Sequence, residues 1–203
     1  MNDIPHPFWD DNIWAEKVLD SKEAKELRER RLNAKILKRE KYKDMRSQRK
    51  GYDTFLDLDD GRHLTFEEKV RRDFYPDLLL EIKSISLDDG SIRLGWLTKS
   101  EAEVLAYFQP KNGKPAGYLT LWKLKDLAHW SKTNEFIDLV NKGIIKEVWS
   151  RSLKDGRKWK TMSYAVPFHV LNKKDFSFIN DDYEKNRDII PLDFWNGNAS
   201  EVF

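Results

Sequence analysis

The chain has 203 residues, and its 37 Lys and Arg nearly balance its 35 Asp and Glu, so the net charge says little about its partners. It contains no Cys, which excludes disulfides, thiolate metal sites and cysteine catalysis. Its four His are too scattered in the sequence to predict a structural zinc site. No apolar run is long enough to predict a membrane span, and no signal peptide is recognised, so the expected location is the cytoplasm.

The charges are unevenly distributed along the chain. Residues 22–50 contain 13 basic and 5 acidic side chains, whereas residues 175–203 contain 7 acidic and 2 basic ones. A helix is predicted over about 12–44, with a break near Ser21, which has the side chain of a helix cap. The basic side of this helix is expected either to contact the phosphates of DNA or to form an ordinary solvated face. The residues predicted to contact phosphate are Lys35, Lys38, Arg39 and Lys41.

Two extended runs flank a turn at 59–61, whose glycine can adopt the positive φ of a short hairpin loop. With a three-residue loop, Asp53 lies opposite Glu67. Lys69 lies on the same face as Glu67, because side chains alternate along a strand. Two opposed carboxylates repel each other, and a divalent cation between them would reverse this effect. The alternative is a solvated hairpin that carries these charges on its wet face.

A second acidic motif, Asp77-x3-Glu81-x-Lys83, lies in an apolar run that predicts a central strand buried on both faces. Three intervening residues are too few to bring the two acids together across a hairpin. On a single strand the acids would be about 13 Å apart. The first motif is therefore preferred, and Glu81 is a secondary candidate, either as a further metal ligand or as a charge at a sheet edge.

The rest of the pattern predicts strands over 104–108 and 118–122, helices over 123–130 and 134–142, and a second hairpin over 144–166. In that hairpin Trp149 and Trp159 are expected to pair across the strands. Basic residues among aromatic ones suit contact with DNA, and Arg157 and Lys158 are the residues chosen for it. The alternative is a half-exposed hairpin with an aromatic inner face.

The motif Asp-x13-Glu-x-Lys across a hairpin resembles the signature of the PD-(D/E)XK nucleases, the superfamily of restriction endonucleases and archaeal Holliday-junction resolvases. Over roughly residues 45–170 the sequence is also similar to a group of phage and prophage proteins that carry QRxGxD, a hairpin, DEK, DILLE and GW in this order. The corresponding stretches here are QRKGYD (48–53), FEEK (66–69), PDLLLE (76–81), GWL (95–97) and SYAVP (163–167).

This resemblance implies an α/β fold with a restriction-endonuclease-like core. The core would be a mixed central sheet that starts from the hairpin and is flanked by helices, with a C-terminal helix–hairpin appendage. The chain is then divided into a charged helical segment (1–44), a nuclease core (45–142), and a C-terminal hairpin with an acidic tail packed on the core (143–203).

The resemblance also implies a DNA endonuclease that depends on Mg²⁺ or Mn²⁺. Asp53, Glu67 and Lys69 would be catalytic: the two acids would bind the metal together with the backbone carbonyl of Glu68, and Lys69 would position the attacking water. Such nucleases often take a third acid from a preceding helix. The candidates here are Glu16, Glu23, Glu26 and Glu29, and Glu26 is preferred for its spacing from Asp53. The residues expected to line the approach to the phosphate are Gln48, Arg49 and Lys50.

The alternative function is a non-catalytic module on the same fold that binds DNA or protein, such as a phage accessory or anti-defence protein. A structural phage protein is a third reading. Cutting of both DNA strands would favour a homodimer. A phage-encoded protein would act in the cytoplasm of the bacterial host.

Overall fold

The structure is a computed structural model that describes residues 8–41, 53–154, 156–174 and 176–177. The helices are α1 (Phe8–Leu19), α2 (Lys22–Leu32), α3 (Trp96–Lys99), α4 (Leu124–Trp130), α5 (Asn134–Asn141) and α6 (Phe168–Leu171). The strands are β1 (Ile36–Lys41), β2 (Thr54–Leu58), β3 (His63–Val70), β4 (Asp77–Ser86), β5 (Ile92–Leu94), β6 (Val104–Lys111), β7 (Lys114–Lys123), β8 (Lys146–Lys154) and β9 (Arg157–Pro167). None of the described helices is long and apolar enough to cross a membrane.

The strands form two sheets. The first sheet has five strands in the order β1-β2-β3-β6-β7, and it is mixed because β3 and β6 run parallel while the other pairs are antiparallel. The second sheet has four antiparallel strands in the order β5-β4-β9-β8. The predicted α/β class and mixed sheet are therefore confirmed.

The β2–β3 hairpin has the predicted register. Thr54 lies opposite Phe66, and the N–H of Leu58 donates to the carbonyl of Arg62 at 3.0 Å. Gly61 has a φ of 84°, in the left-handed region that favours glycine. The strands at 104–108 and 118–122, the two helices that follow, and the second hairpin are likewise present.

The prediction that β4 belongs to the central sheet is wrong, because β4 pairs with β5 and β9 in the second sheet. Along β4, Leu78 and Leu80 are fully buried, whereas Glu81 and Lys83 are only partly buried, so the strand does not bury both faces. The C-terminal hairpin is correspondingly not an appendage. Its strand β9 pairs with β4 from Asp77 to Ser86 and so forms the middle of the second sheet.

The predicted helix over 12–44 is only partly correct. The break and the cap at Ser21 are confirmed, since the side chain of Ser21 accepts a hydrogen bond from the N–H of Ala24 at 3.2 Å. However, α2 ends at Leu32, where Asn33 adopts a left-handed C-cap with φ of 50°. The chain then enters β1, which pairs with β2, and residues 42–44 lie outside the described part.

The first sheet has an apolar core on each face. The helix-side core packs α1 and α2 against side chains such as Leu56, Phe66 and Phe108. The inter-sheet core packs the opposite face, which includes Leu105, against the second sheet and α3–α6. Because successive residues of a strand point to opposite faces, Glu68 shares the helix-side face with Phe66, whereas Glu67 and Lys69 share the face of Leu105.

Candidate active site

The structure brings the three predicted catalytic side chains together. The Nζ atom of Lys69 lies 2.5 Å from Oε1 of Glu67 and 3.7 Å from Oδ2 of Asp53. The same Asp53 oxygen accepts a hydrogen bond from the backbone N–H of Glu68 at 2.9 Å. The hairpin register thus places two carboxylates around one ammonium group, as the sequence predicts.

Burial and charge act strongly on this cluster. Burial raises the pKa of Glu67, and the charge of Asp53 adds to the rise, while Lys69 and a hydrogen bond from Ser100 oppose it. Burial would lower the pKa of Lys69, but the charges of Glu67 and Asp53 outweigh burial and hold that pKa well above its usual range. Lys69 is therefore protonated at neutral pH, and the cluster is built to hold positive charge.

The surface around the cluster is acidic and open to solvent on the β1–β2 side. Phe55, Asp57, His63 and Thr65 share the face of Glu67 by register. The rings of Phe55 and His63 stack at 6.0 Å, and Nδ1 of His63 lies 2.5 Å from Oδ1 of Asp57. Glu103 accepts hydrogen bonds from the N–H and the hydroxyl of Thr65. A surface with this charge attracts a cation more readily than a bare phosphate.

The neighbouring residue, Glu68, has a different environment on the helix side of the sheet. Its Oε1 atom accepts two bonds from Arg28 at 2.9 and 2.6 Å. Its Oε2 atom accepts bonds from Arg39 at 2.7 Å and from Thr54 at 2.6 Å. Burial would raise the pKa of Glu68, but the charges of Arg28 and Arg39 outweigh burial and lower it. Glu68 is thus a buried, fully ionised structural carboxylate.

Sequence reasoning missed this buried network, although one signal was present. Glu68 falls on the apolar side of β3 with Leu64 and Phe66, where a carboxylate needs charged or hydrogen-bonding partners. Arg28 lies next to the buried Leu27 on α2 and is itself 1% exposed. A carboxylate on the apolar face of β3 and an arginine on the apolar face of α2 each need a partner of opposite charge, and this need predicts that Glu68 pairs with Arg28.

The structure does not bring Glu26 to the cluster, which corrects the prediction of a third acid from this helix. α2 turns Ala24, Leu27 and Arg28 toward the sheet. Glu26 is exposed and forms an ion pair with Lys22 at 3.6 Å. The physical reason is that the apolar stripe of α2 fixes its rotation and so directs Glu26 outward.

The two other predicted metal ligands are Glu81 and the backbone carbonyl of Glu68. Glu81 lies at an irregularity of β4, and its charge contributes to the raised pKa of Lys69, so it is close enough to influence the cluster. Glu68 contributes its N–H group to Asp53. The role of the Glu68 carbonyl as a metal ligand stays a prediction.

The predicted helical setting of the basic residues is wrong, because they belong to or adjoin β1, and three of the four form ion pairs within the chain. Their contact with phosphate stays a prediction. Arg39 and Lys41 both bond to Asp20, at 2.5 and 2.7 Å. Lys38 forms an ion pair with Glu40 at 2.7 Å. The backbone N–H of Lys35, just before β1, donates to Asp59. Predicted phosphate contacts that lie outside the described residues are Gln48, Arg49 and Lys50.

The second hairpin places its aromatic residues differently from the prediction. Trp149 lies opposite Met162 and Trp159 lies opposite Ser152, so the two indoles do not pair. Each is instead covered by a cation: Lys160 lies 4.1 Å from the ring centre of Trp149, and Arg93 lies 4.3 Å from that of Trp159. The predicted DNA contacts in this hairpin are both exposed, Arg157 being 3.8 Å from Asp89 while Lys158 uses its N–H to bond Asp88.

The donor types at the cluster fit a hard divalent cation. Asp53 and Glu67 supply two carboxylates, and Mg²⁺ is commonly held by one or two carboxylates together with waters and substrate phosphate. Such a cation would compete with the ammonium of Lys69 for the same oxygens. Within the described ranges, no three His, Cys, Asp or Glu side chains form a group that could hold a metal ion. The site therefore offers a two-carboxylate ligand set.

Comparison with known proteins gave no match: the chain matches no family model, no curated protein and no solved structure.

Proposed function

We propose that the protein is a metal-dependent deoxyribonuclease that hydrolyses phosphodiester bonds, with a fold related to the PD-(D/E)XK nucleases. The observation that carries this proposal is the convergence of Asp53, just before β2, with Glu67 and Lys69 on β3. These are the residue types, spacing and hairpin setting that the resemblance implies for a nuclease centre. The mixed first sheet agrees with the implied core in general terms.

Asp53 and Glu67 would hold Mg²⁺ or Mn²⁺, with the Glu68 carbonyl as a further candidate. When bound, the metal would polarise the phosphate and lower the pKa of a coordinated water. Lys69, which is protonated, would orient the attacking water and balance the charge that develops on the phosphate oxygens. Glu68 would keep Asp53 in place, because its N–H donates to the Asp53 carboxylate.

A second candidate function is a binding module without catalytic activity. One observation favours it: the 2.5 Å ion pair with Lys69 gives Glu67 a charged partner within the protein itself. Such a protein would bind DNA or another protein equally well in the presence of a chelator. Dependence on a divalent cation is therefore the property that separates the two candidates.

The proposed function is tested by incubating the purified protein with linear and branched DNA, with and without Mg²⁺ or Mn²⁺. We expect cleavage only with the metal. Asp53→Asn and Lys69→Ala should abolish it, because the first removes a metal ligand and the second removes the transition-state cation. Glu81→Gln tests the second acidic motif, on β4. If Glu81→Gln is inactive while the other two variants cleave normally, the centre lies on β4 instead. The proposal is contradicted if all three variants cleave DNA, or if the wild type does not cleave it.

A further inference from the structure

One face of the second sheet extends past the inter-sheet core, and this part of it carries both apolar and basic side chains. Directly opposed residues of antiparallel strands point to the same face, and this orientation alternates along the strands. By this rule Lys83, Leu94, Met162 and Trp149 share one face. We call the solvent-facing part of it the basic face, and its members are Lys83, Ile85, Ile92, Leu94, Glu147, Trp149, Arg151, Leu153, Lys158 and Lys160.

Contacts between side chains agree with this division of the sheet. Lys160 and Trp149, which contact each other, are both on the basic face. On the opposite face, the hydroxyls of Ser84 and Thr161 bond at 2.7 Å. The two faces therefore have separate contacts.

The basic face exposes apolar and cationic groups together. Ile92 is 62% exposed and Leu94 is 58% exposed, and Trp149 and Leu153 are each 37% exposed. Lys83, Arg151 and Lys158 form no ion pair with a carboxylate in the part of the chain that the structure describes. An exposed apolar patch that is rimmed by polar groups marks an interaction surface. The face carries four cations, those of Lys83, Arg151, Lys158 and Lys160, against one carboxylate, that of Glu147, which accepts a bond from the indole N–H of Trp149. This excess of positive charge indicates an anionic partner.

The basic face and the candidate active site border the same core. At its inner end, the face continues into Leu80 and Tyr164, which pack in the inter-sheet core. The face of the first sheet that carries Glu67 packs on that core from the other side. α3 lies between them: the N–H of Gly95 donates to the carbonyl of Ile82 at 2.7 Å, and Ser100 bonds Glu67. The two ends of α3 thus connect β4, which carries Lys83, to Glu67 of the candidate active site.

We propose that the basic face binds a single-stranded stretch of nucleic acid and delivers it to the candidate active site. The proposal rests on the proposed function in taking nucleic acid as the substrate. A single strand presents unstacked bases, which can pack on Trp149 and the exposed aliphatic side chains, as well as phosphates for the lysines. A duplex offers mainly phosphates and would leave the apolar groups in water. The acidic surface around Asp53 cannot supply this attraction itself.

The test is the binding of a fluorescent single-stranded oligonucleotide and of the same sequence as a duplex, measured by anisotropy in EDTA over a range of salt concentrations. The triple variant Lys83→Gln, Lys158→Gln and Lys160→Gln should bind the single strand more weakly. Its log–log salt slope should be flatter by about 2, since each lost contact removes about 0.7. Trp149→Leu should weaken single-strand binding by roughly tenfold through lost stacking, with little change in the salt slope.

The matched control is Lys114→Gln, Lys125→Gln and Lys142→Gln, which makes the same charge change at exposed lysines on other elements. This variant should bind like the wild type. Circular dichroism and the thermal midpoint of every variant establish that each one is folded.

Equal losses in the two triple variants would overturn the proposal, as would duplex binding as tight as single-strand binding together with normal binding by Trp149→Leu. Binding of anionic lipid vesicles but not of oligonucleotides would also overturn it and identify a membrane surface. Because EDTA removes metal-dependent cleavage, binding as expected without any later cleavage in Mg²⁺ would uphold this inference while contradicting the proposed function.

Discussion

Glu67 and Glu68 are adjacent in sequence and both buried, yet they lie on opposite faces of β3, and their pKa values are shifted in opposite directions. On the helix side, Glu68 receives four hydrogen bonds, three of them from arginine side chains, and its pKa is lowered. On the other side, Glu67 shares one lysine with Asp53, and its pKa is raised. The carboxylate of Glu68 is enclosed by partners within the fold, whereas that of Glu67 lies at the edge of an acidic surface open to solvent.

This difference separates structural from chemical roles. A buried carboxylate with every oxygen bonded to a cationic or hydroxyl donor has nothing left to offer a ligand, so Glu68 stabilises the fold. A carboxylate whose single ion pair could be replaced by a metal can take part in chemistry. The backbone N–H of Glu68 links the two sides, because it holds the Asp53 carboxylate next to Lys69.

The largest expected effect is on stability. Glu68→Gln should lower the free energy of unfolding by about 3–5 kcal/mol, because it leaves Arg28, which is 1% exposed, buried without its counter-charge. Glu67→Gln should cost less than Glu68→Gln, since Lys69 keeps Asp53 as a partner and is itself one-third exposed. Urea unfolding of both variants measures the difference. Equal costs would show that the two carboxylates have the same role.

The response to acid should be the next largest effect. Because the pKa of Glu68 is lower in the folded than in the unfolded state, its contribution is present above the unfolded value of about 4.3 and is lost as the pH falls through the folded value. Glu68→Gln should therefore lose less stability than the wild type between pH 5 and strongly acidic pH.

Glu67→Gln is the control for this acid response. It should lose at least as much stability as the wild type on acidification, because a raised pKa means that protonation of Glu67 favours the folded state. Urea unfolding at a series of pH values compares the slopes. A wild-type slope in Glu68→Gln would contradict the ionised state assigned to Glu68.

A smaller effect is expected from a pair of threonines on the two sides of the hairpin. Thr54→Val removes a 2.6 Å hydrogen bond to the buried charge of Glu68 and should cost about 1.5–3 kcal/mol. Thr65→Val removes a bond to the exposed carboxylate of Glu103 and a bond from the backbone N–H of Glu103. It should cost about 1 kcal/mol or less, because both groups can bond to water instead. Thermal or urea unfolding checks both. A larger cost for Thr65→Val than for Thr54→Val would contradict the structural role assigned to the face of β3 that carries Glu68.

The parts of this arrangement that depend on local patterns could be predicted from the sequence. The hairpin turn at Gly61 and the two-residue period of β3 determine that Asp53, Glu67 and Lys69 meet, so the cluster follows from contacts close in sequence. The cap at Ser21 is predictable for the same reason, because its partner is three residues away.

The parts that depend on distant pairing could not be predicted. Residues 36–41 have no helix breaker, and they form a strand because they pair with β2. β4 leaves the central sheet because it pairs with β9, whose residues lie about eighty positions later. The bond between Arg28 and Glu68 joins positions 40 residues apart on a helix and a strand. Such partners are chosen by packing and not by local propensity.

The most direct test of the central claim, that the open side of β3 is a metal-binding catalytic centre, is the affinity for Mn²⁺ measured by electron paramagnetic resonance. The wild type should bind the ion, and Asp53→Asn should bind it much more weakly, because one of two carboxylate ligands is lost. Asp57→Asn, which removes an acid from the same face one register step beyond Phe55, should bind like the wild type. Equal affinity in all three proteins, or no binding by the wild type, would contradict the account.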